Sequence, residues 1–190
     1  MAGPADTPRR ILDIAERLVQ TRGFNGFSYA DIAEALKVTK ASLHYHFPAK
    51  SDLGARLIER YERNFLAALA TIDGKTDDAR EKLRRYAALY EDVLSDNRMC
   101  LCGMLAAEFG TLPKAMRDEM RHYFDANERW LVGVLQQGKK DKTLKFQGSA
   151  AEVAQSLVGA LEGAMMIARS YADVARFKAS ADRTLAALAA

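Results

Sequence analysis

The chain has 190 residues, 49% of them hydrophobic, enough to bury a sizeable core. Lys and Arg number 28 against 25 Asp and Glu, so the net charge of +3 excludes indiscriminate coating of nucleic acid. No run of roughly 18 apolar residues is present to span a membrane, the N-terminal MAGPADTPRR lacks the apolar segment of a secretory signal, and two cysteines two positions apart cannot frame a disulfide scaffold; the expected compartment is the cytoplasm.

In chain order, a first helix is expected to open with Thr7 as cap and Pro8 at the first helical position. Ile11, Ile14, Ala15, Leu18 and Val19 form its apolar stripe, and Gly23 closes it as a left-handed cap. The segment Ser28 to Lys50, SYADIAEALKVTKASLHYHFPAK, then reads as two short helices around a tight turn. Ser28 and Asp31 fit a capping box. Tyr29, Ile32, Ala33 and Leu36 fall at i, i+3, i+4 and i+7 on one face. Lys37 and Val38 make the turn, and Thr39 caps the second helix. Leu43 and Phe47 tie that helix to the first, and Pro48 stops it. What faces outward is Lys40, Ser42, His44, Tyr45 and His46, which are hydrogen-bonding or stacking groups with no carboxylate among them. This is the pattern of a helix-turn-helix whose second helix enters the DNA major groove. Residues 1–50 carry seven Lys or Arg against five Asp or Glu, a mildly basic quarter of the chain.

This segment and the helix before it resemble the DNA-binding domain of TetR-family transcriptional regulators. The resemblance rests on Ser28–Asp31–Ile32–Ala33, Val38–Thr39, Leu43–His44–Tyr45–His46–Phe47 and Lys50. Three positions depart from the family pattern: His44 stands where Tyr is usual, Lys37 replaces a common turn Gly, and Ala49 replaces the usual Ser cap of the next helix. The resemblance implies that Ser28 and Thr39 meet phosphates through a hydroxyl and a backbone N–H, and that Lys50 binds a phosphate as a point charge. Lys40, Ala41, Ser42, His44 and Tyr45 would lie nearest base edges, with His46 at the rim. It also implies an all-α fold: an N-terminal three-helix DNA-binding domain over residues 1–50 and a larger ligand-sensing and dimerising helical bundle over residues 51–190.

Beyond the motif the chain reads as helix almost throughout, with no sustained β alternation. Helices are expected from about Lys50 to Ile72, with Leu53, Leu57, Tyr61 and Phe65 on one stripe, and from about Asp77 to Ser95, burying Leu83, Tyr86, Ala87, Tyr90 and Leu94. A short apolar helix follows over about Met99 to Phe109. Longer helices run from about Pro113 to Lys139 and from Ser149 or Ala150 to about Tyr171, and a last one from Asp173 to Leu188.

In a TetR-like protein the bundle pairs subunits and senses a ligand. Gly159, Ala160, Gly163 and Ala164 would let two copies of the last two helices approach closely, making a homodimer that reads a palindrome with recognition helices about 34–36 Å apart. The side chains expected around a small-molecule effector are Tyr86, Tyr90, Cys100, Met104, Phe109, Met116, Met120, Tyr123, Phe124, Trp130 and Met166; Met and aromatic groups suit an adaptable apolar pocket, though the same stripe also reads as plain core. Cys100 and Cys102 are candidates for a redox or electrophile sensor, with Arg98 and a helix N-terminus favouring a thiolate. At i and i+2 they point about 200° apart on a helix, so they do not pair with each other. The expected function is therefore a ligand-responsive repressor that binds a double-stranded palindromic operator as a dimer and is released by a small apolar or electrophilic effector. An enzyme is not expected. His122 with Asp118 or Asp125 lacks the spacing of a metal site, no Gly-rich phosphate loop is present, and no cofactor is implied.

Overall fold

Helix boundaries follow the caps. The computed structural model describes residues 6–190, so the first five residues of the stretch MAGPADTPRR lie outside the described residues. The described chain folds into nine α-helices: α1 (Thr7–Arg22), α2 (Tyr29–Leu36), α3 (Lys40–His46), α4 (Lys50–Asp73), α5 (Ala79–Ser95), α6 (Leu101–Ala107), α7 (Lys114–Lys140), α8 (Ala150–Ser170) and α9 (Val174–Ala186). A 3-10 turn at Phe109–Thr111 follows α6. Among the described residues the only β feature is an isolated bridge between Leu144 and Ala189. The fold is all-α, with the helix-turn-helix near its N-terminus.

Local chemistry sets the ends of these helices. Ser28 and Asp31 close a reciprocal capping box on α2, and Ser149 and Glu152 close another on α8. Asp78 caps α5 by accepting from the Arg80 N–H, and Asp173 caps α9 by accepting from the Arg176 N–H. Two expectations shift. Asp6 takes the cap position of α1, which leaves Thr7 and Pro8 inside the first turn; Asp6 makes no side-chain cap bond and pairs with Arg9. Gly23 has φ 81° but ψ 167°, an extended backbone on the positive-φ side instead of the left-handed helical cap, and its N–H still reaches the Val19 carbonyl.

The helices group into two compact units. The first holds the described residues up to Glu62 together with Leu101–Tyr123. Its core is Ile11, Ala15 and Val19 of α1, Ile32 and Leu36 of α2, Leu43 of α3, Leu53 and Leu57 of α4, and Leu105, Met116 and Tyr123 from the later segment. The second holds Arg63–Cys100 and Phe124–Ala190. There α5, α8 and α9 pack on one another, and Leu83, Tyr86, Tyr90, Leu94, Leu157, Leu161, Met165 and Phe177 are buried. The buried stripes of α5 and α8 are those the 3.6-residue period picks out.

Candidate nucleic-acid interface and aromatic core

Two buried side chains hold α3 against α2. Leu43 is fully buried and Phe47 nearly so. The Tyr29 hydroxyl donates to the Phe47 carbonyl at 2.8 Å from inside the core, and burial, with the Asp52 charge adding to it, pushes its pKa up to about 12. The Thr39 Oγ1 accepts from the Ser42 N–H at 3.3 Å and starts α3. Between the helices Lys37 sits at φ 55° and ψ 46°, the left-handed conformation a β-carbon disfavours. Its N–H and that of Val38 close α2 on the carbonyls of Glu34 and Ala33.

This leaves Lys40, Ala41, His44 and Tyr45 exposed along α3, with Tyr45 83% exposed and Ser42 and His46 half-buried beside them. The His44 ring packs on Tyr29 with centroids 4.8 Å apart, and its Nδ1 lies 3.1 Å from the Pro48 carbonyl oxygen. A carbonyl only accepts, so Nδ1 carries the proton and Nε2 is the nitrogen left for a base. Tyr45 and His46 meet edge to face at 5.1 Å. Ser28 is exposed, but its hydroxyl is already committed: it accepts from the Ala30 N–H at 3.2 Å and donates to Asp31 at 2.9 Å. The Ser28 backbone N–H, donating to Asp31 at 2.8 Å, and the Ser28 hydroxyl hold the Asp31 carboxyl below its usual pKa, with Arg22 at 3.2 Å helping.

Lys50 departs from expectation. Its ammonium turns inward, donates to the carbonyl oxygens of Phe24 and Phe27, and lies 4.5 and 4.1 Å from the centroids of their rings. Burial lowers its pKa, and the nearby charges of Glu108 and Asp31 oppose that shift. A phosphate would have to compete with two carbonyls and two ring faces, so this lysine is an anchor of the α1–α2 turn. The same turn is held from its other side by a residue that sequence reasoning did not pick out. The Glu108 carboxylate accepts from the Phe24 N–H at 2.6 Å and the Asn25 N–H at 3.2 Å, and the Asn25 side chain donates to Thr111 at 2.7 Å. Nothing local marks Glu108, which lies 84 residues from Phe24.

The expected effector residues divide between the two units. Met104, Phe109, Met116, Met120 and Tyr123 belong to the first. Phe109 lies under the guanidinium groups of Arg117 and Arg121, each 5.4 Å from its centroid, so its ring serves these cations. Met116 packs on Gly54, and Tyr123 meets Tyr61 at 5.6 Å. Tyr86, Tyr90, Cys100, Phe124, Trp130 and Met166 belong to the second. Tyr86 stacks on Trp130 at 5.7 Å and meets Phe65 and Tyr90 edge to face at 6.2 and 5.4 Å. Its hydroxyl donates to Asn127 at 2.9 Å and lies 2.9 Å from that of Tyr90; burial drives both phenol pKa values up. Trp130 donates its indole N–H to Asp73 at 2.9 Å and lines a cleft of about 510 Å³ with Lys82, Arg129 and Gln137. Met166 does not join these rings. It is 52% exposed on α8, because one residue turns the helix by about 100° and Met165 occupies the buried position. The Met165 sulfur accepts the Cys100 N–H at 3.3 Å. Cys100 and Cys102 are both buried and in no disulfide, so an electrophile reaches neither without local opening. The second residue that sequence reasoning passed over is Glu162, an acid inside the apolar stripe of α8. Burial pushes its carboxyl up to about 7, with the Cys100 thiol drawing it back.

Among the described residues no group of three His, Cys, Asp or Glu is placed to hold a metal, and no helix is long and apolar enough to cross a membrane. His122 is exposed, and Asp118 pairs with Lys114 and Arg121.

Comparison with known proteins places these features. Residues 11–57 match the family model for bacterial regulatory proteins of the tetR family, and residues 79–184 match the one for tetracyclin repressor-like C-terminal domains. The solved structure of a TetR-family transcriptional regulator from Agrobacterium tumefaciens is 34% identical, superposes with a TM-score of 0.96, and covers 99% of this chain and 100% of its own. A TetR transcriptional regulator from Legionella pneumophila is 30% identical with a TM-score of 0.88 over 99% of this chain and 98% of its own. The HTH-type transcriptional repressor DhaR of Mycobacterium sp. (strain GP1) is 24% identical over 85% of this chain and 83% of that protein. With its capped helix-turn-helix and matching all-helical remainder, the chain belongs to the TetR family of DNA-binding transcriptional regulators.

Proposed function

We propose that this regulator is a repressor that binds a palindromic double-stranded operator as a homodimer and is released by a small effector. The observation that carries DNA reading is the outward face of α3. Lys40, Ala41, His44 and Tyr45 are exposed on a helix free of carboxylates, so phosphate and base edges meet donors and a stacking ring without repulsion. Ser42 and His46 flank that face, and Ser28 and Thr39 present capped helix starts toward the backbone.

Pairing falls to α8 and α9. An added β-carbon at Gly159 or Gly163 would meet nothing within 4 Å, and Ile167 and Tyr171 are 55% and 64% exposed near Met166. A small-residue face flanked by uncovered large apolar side chains suits close helix packing with a second copy. The effector falls to the ring cluster around Tyr86, Tyr90 and Trp130, with Cys100 at its border. Burial of both cysteines favours an apolar effector over an electrophile.

A gel shift on DNA flanking the regulator's own gene tests the proposal. Specific binding should weaken steeply with salt as phosphate contacts release counterions, and sedimentation should show a dimer. A monomer at micromolar concentration, or binding indifferent to sequence, would sink it. A thermal-shift screen then identifies compounds to add to the gel shift. Release by electrophiles that persists in Cys100→Ser and Cys102→Ser would dismiss the cysteine version alone.

A further inference from the structure

Glu162 sits on α8 with part of its surface exposed, yet both carboxyl oxygens are buried, no N–H or O–H donor among the described residues reaches either, and the one group drawn to it is the weak S–H donor of Cys100. Holding a carboxylate in an apolar interior with no more than a thiol for company costs more than most folds tolerate without a reason. Tyr86 and Tyr90 of α5 and Cys100 just before α6 interact electrostatically with it, and none of these three is a cation. The tyrosine hydroxyls already serve each other and Asn127. The rings of Phe65, Tyr90 and Trp130 each pack on that of Tyr86, so one aromatic wall runs on from these hydroxyls.

We infer that this buried carboxyl and its aromatic wall form a binding site for a compact organic ammonium ion, with Glu162 as counter-charge and the faces of Tyr86, Tyr90 and Trp130 against its alkyl groups. Each part of the chemistry selects this class. Ring faces attract a weakly hydrated organic cation. A hard inorganic cation asks for six or more oxygen ligands, which this wall of rings does not supply. A neutral ligand would leave the carboxylate without a counter-charge. The rings are in mutual contact here, so a ligand enters only as they part. A site that opens in one state and closes in another gives its ligand the differential affinity that regulation requires. The inference rests on the reading of this unit as the effector sensor.

The probe is benzyltrimethylammonium, with neopentylbenzene as its neutral carbon isostere. Added to the 190-residue wild-type protein, the cation should raise the melting temperature and change the emission of Trp130, the only tryptophan in the chain. Calorimetry should give at least roughly tenfold tighter binding to wild type than to Glu162→Gln near pH 8. That gap should close near pH 5, where the carboxyl is protonated. A cation that leaves both melting and emission unchanged, a Glu162→Gln variant that binds equally well, or an isostere that binds as tightly would overturn the inference. The isostere comparison uses wild type alone, so it decides even if the variant misfolds. Gel shifts separate the two claims. Release of DNA by neutral compounds and not by the cation leaves sensing intact and removes the cation site. Cation binding at Glu162 with no effect on DNA keeps the site and removes its role in sensing.

Discussion

Lys37 occupies a conformation that glycine adopts without strain. Lys37→Gly should therefore stabilise the fold by roughly 1 kcal/mol in urea denaturation; an unchanged midpoint would mean that the turn relaxes around the β-carbon. Lys50 makes the opposite case. Its two carbonyl contacts are charge-assisted, and loss of them in Lys50→Ala should cost about 1–3 kcal/mol of stability while leaving the salt slope of DNA binding in place. Lys40→Ala should instead relax base choice by about 1–3 kcal/mol in gel shifts, with little effect on unfolding. Glu162 makes stability depend on pH. Its carboxyl holds a proton up to about 7 in the fold against 4.5 when unfolded, so the native state binds more protons across that window. Stability should fall as pH rises from 4.5 to about 7 and level off above. Glu162→Gln removes this slope and should exceed wild type by roughly 3 kcal/mol near pH 8. Parallel urea midpoints for the two proteins from pH 5 to 8 would show that Glu162 is not the titrating group.

Among the elements, α4 carries a glycine that its neighbours require. A β-carbon on Gly54 would lie 2.5 Å from the Met116 sulfur and 2.9 Å from the Phe24 ring. Met116 is fully buried, so its thioether end can move aside only by repacking its neighbours. Overpacking of roughly 1–3 kcal/mol outweighs the ~1 kcal/mol gain in helix propensity, so Gly54→Ala should lower the melting temperature. The elements also show what a reader of the sequence sees. The capping box of α2, the opening of α8 at Ser149, the Thr39 cap and the buried stripe of α5 are legible because each follows from contacts within four residues. Asp6 against Thr7 is a shift of one position at a helix start. Met166 against Met165 is also one position, but on a helix that separates surface from core. Glu108, the inward turn of Lys50 and the burial of the Glu162 carboxyl were not legible. Each is decided by groups 23 to 84 residues away or by tertiary packing, and no local period encodes them.

For the whole molecule, the proposed dimer makes a sharp demand on α8. Gly163 faces open space within the subunit, so Gly163→Leu should leave the melting of the monomer fold nearly unchanged. In a close-packed dimer seam the same side chain collides with the second copy. Sedimentation should then shift from dimer to monomer and palindrome binding should drop, whereas an unaltered dimer would place the seam elsewhere. The Glu108 contact bears on how such regulators are recombined. A chimera that grafts residues 1–50 onto another regulator's bundle would carry Phe24 and Asn25 without the carboxylate that receives their N–H groups, and Asn25 without Thr111. A transplantable reading head here is discontinuous in sequence: it needs the segment around residues 101–111 to travel with it, and exchanges cut at residue 50 should express as proteins with a loosened α1–α2 turn.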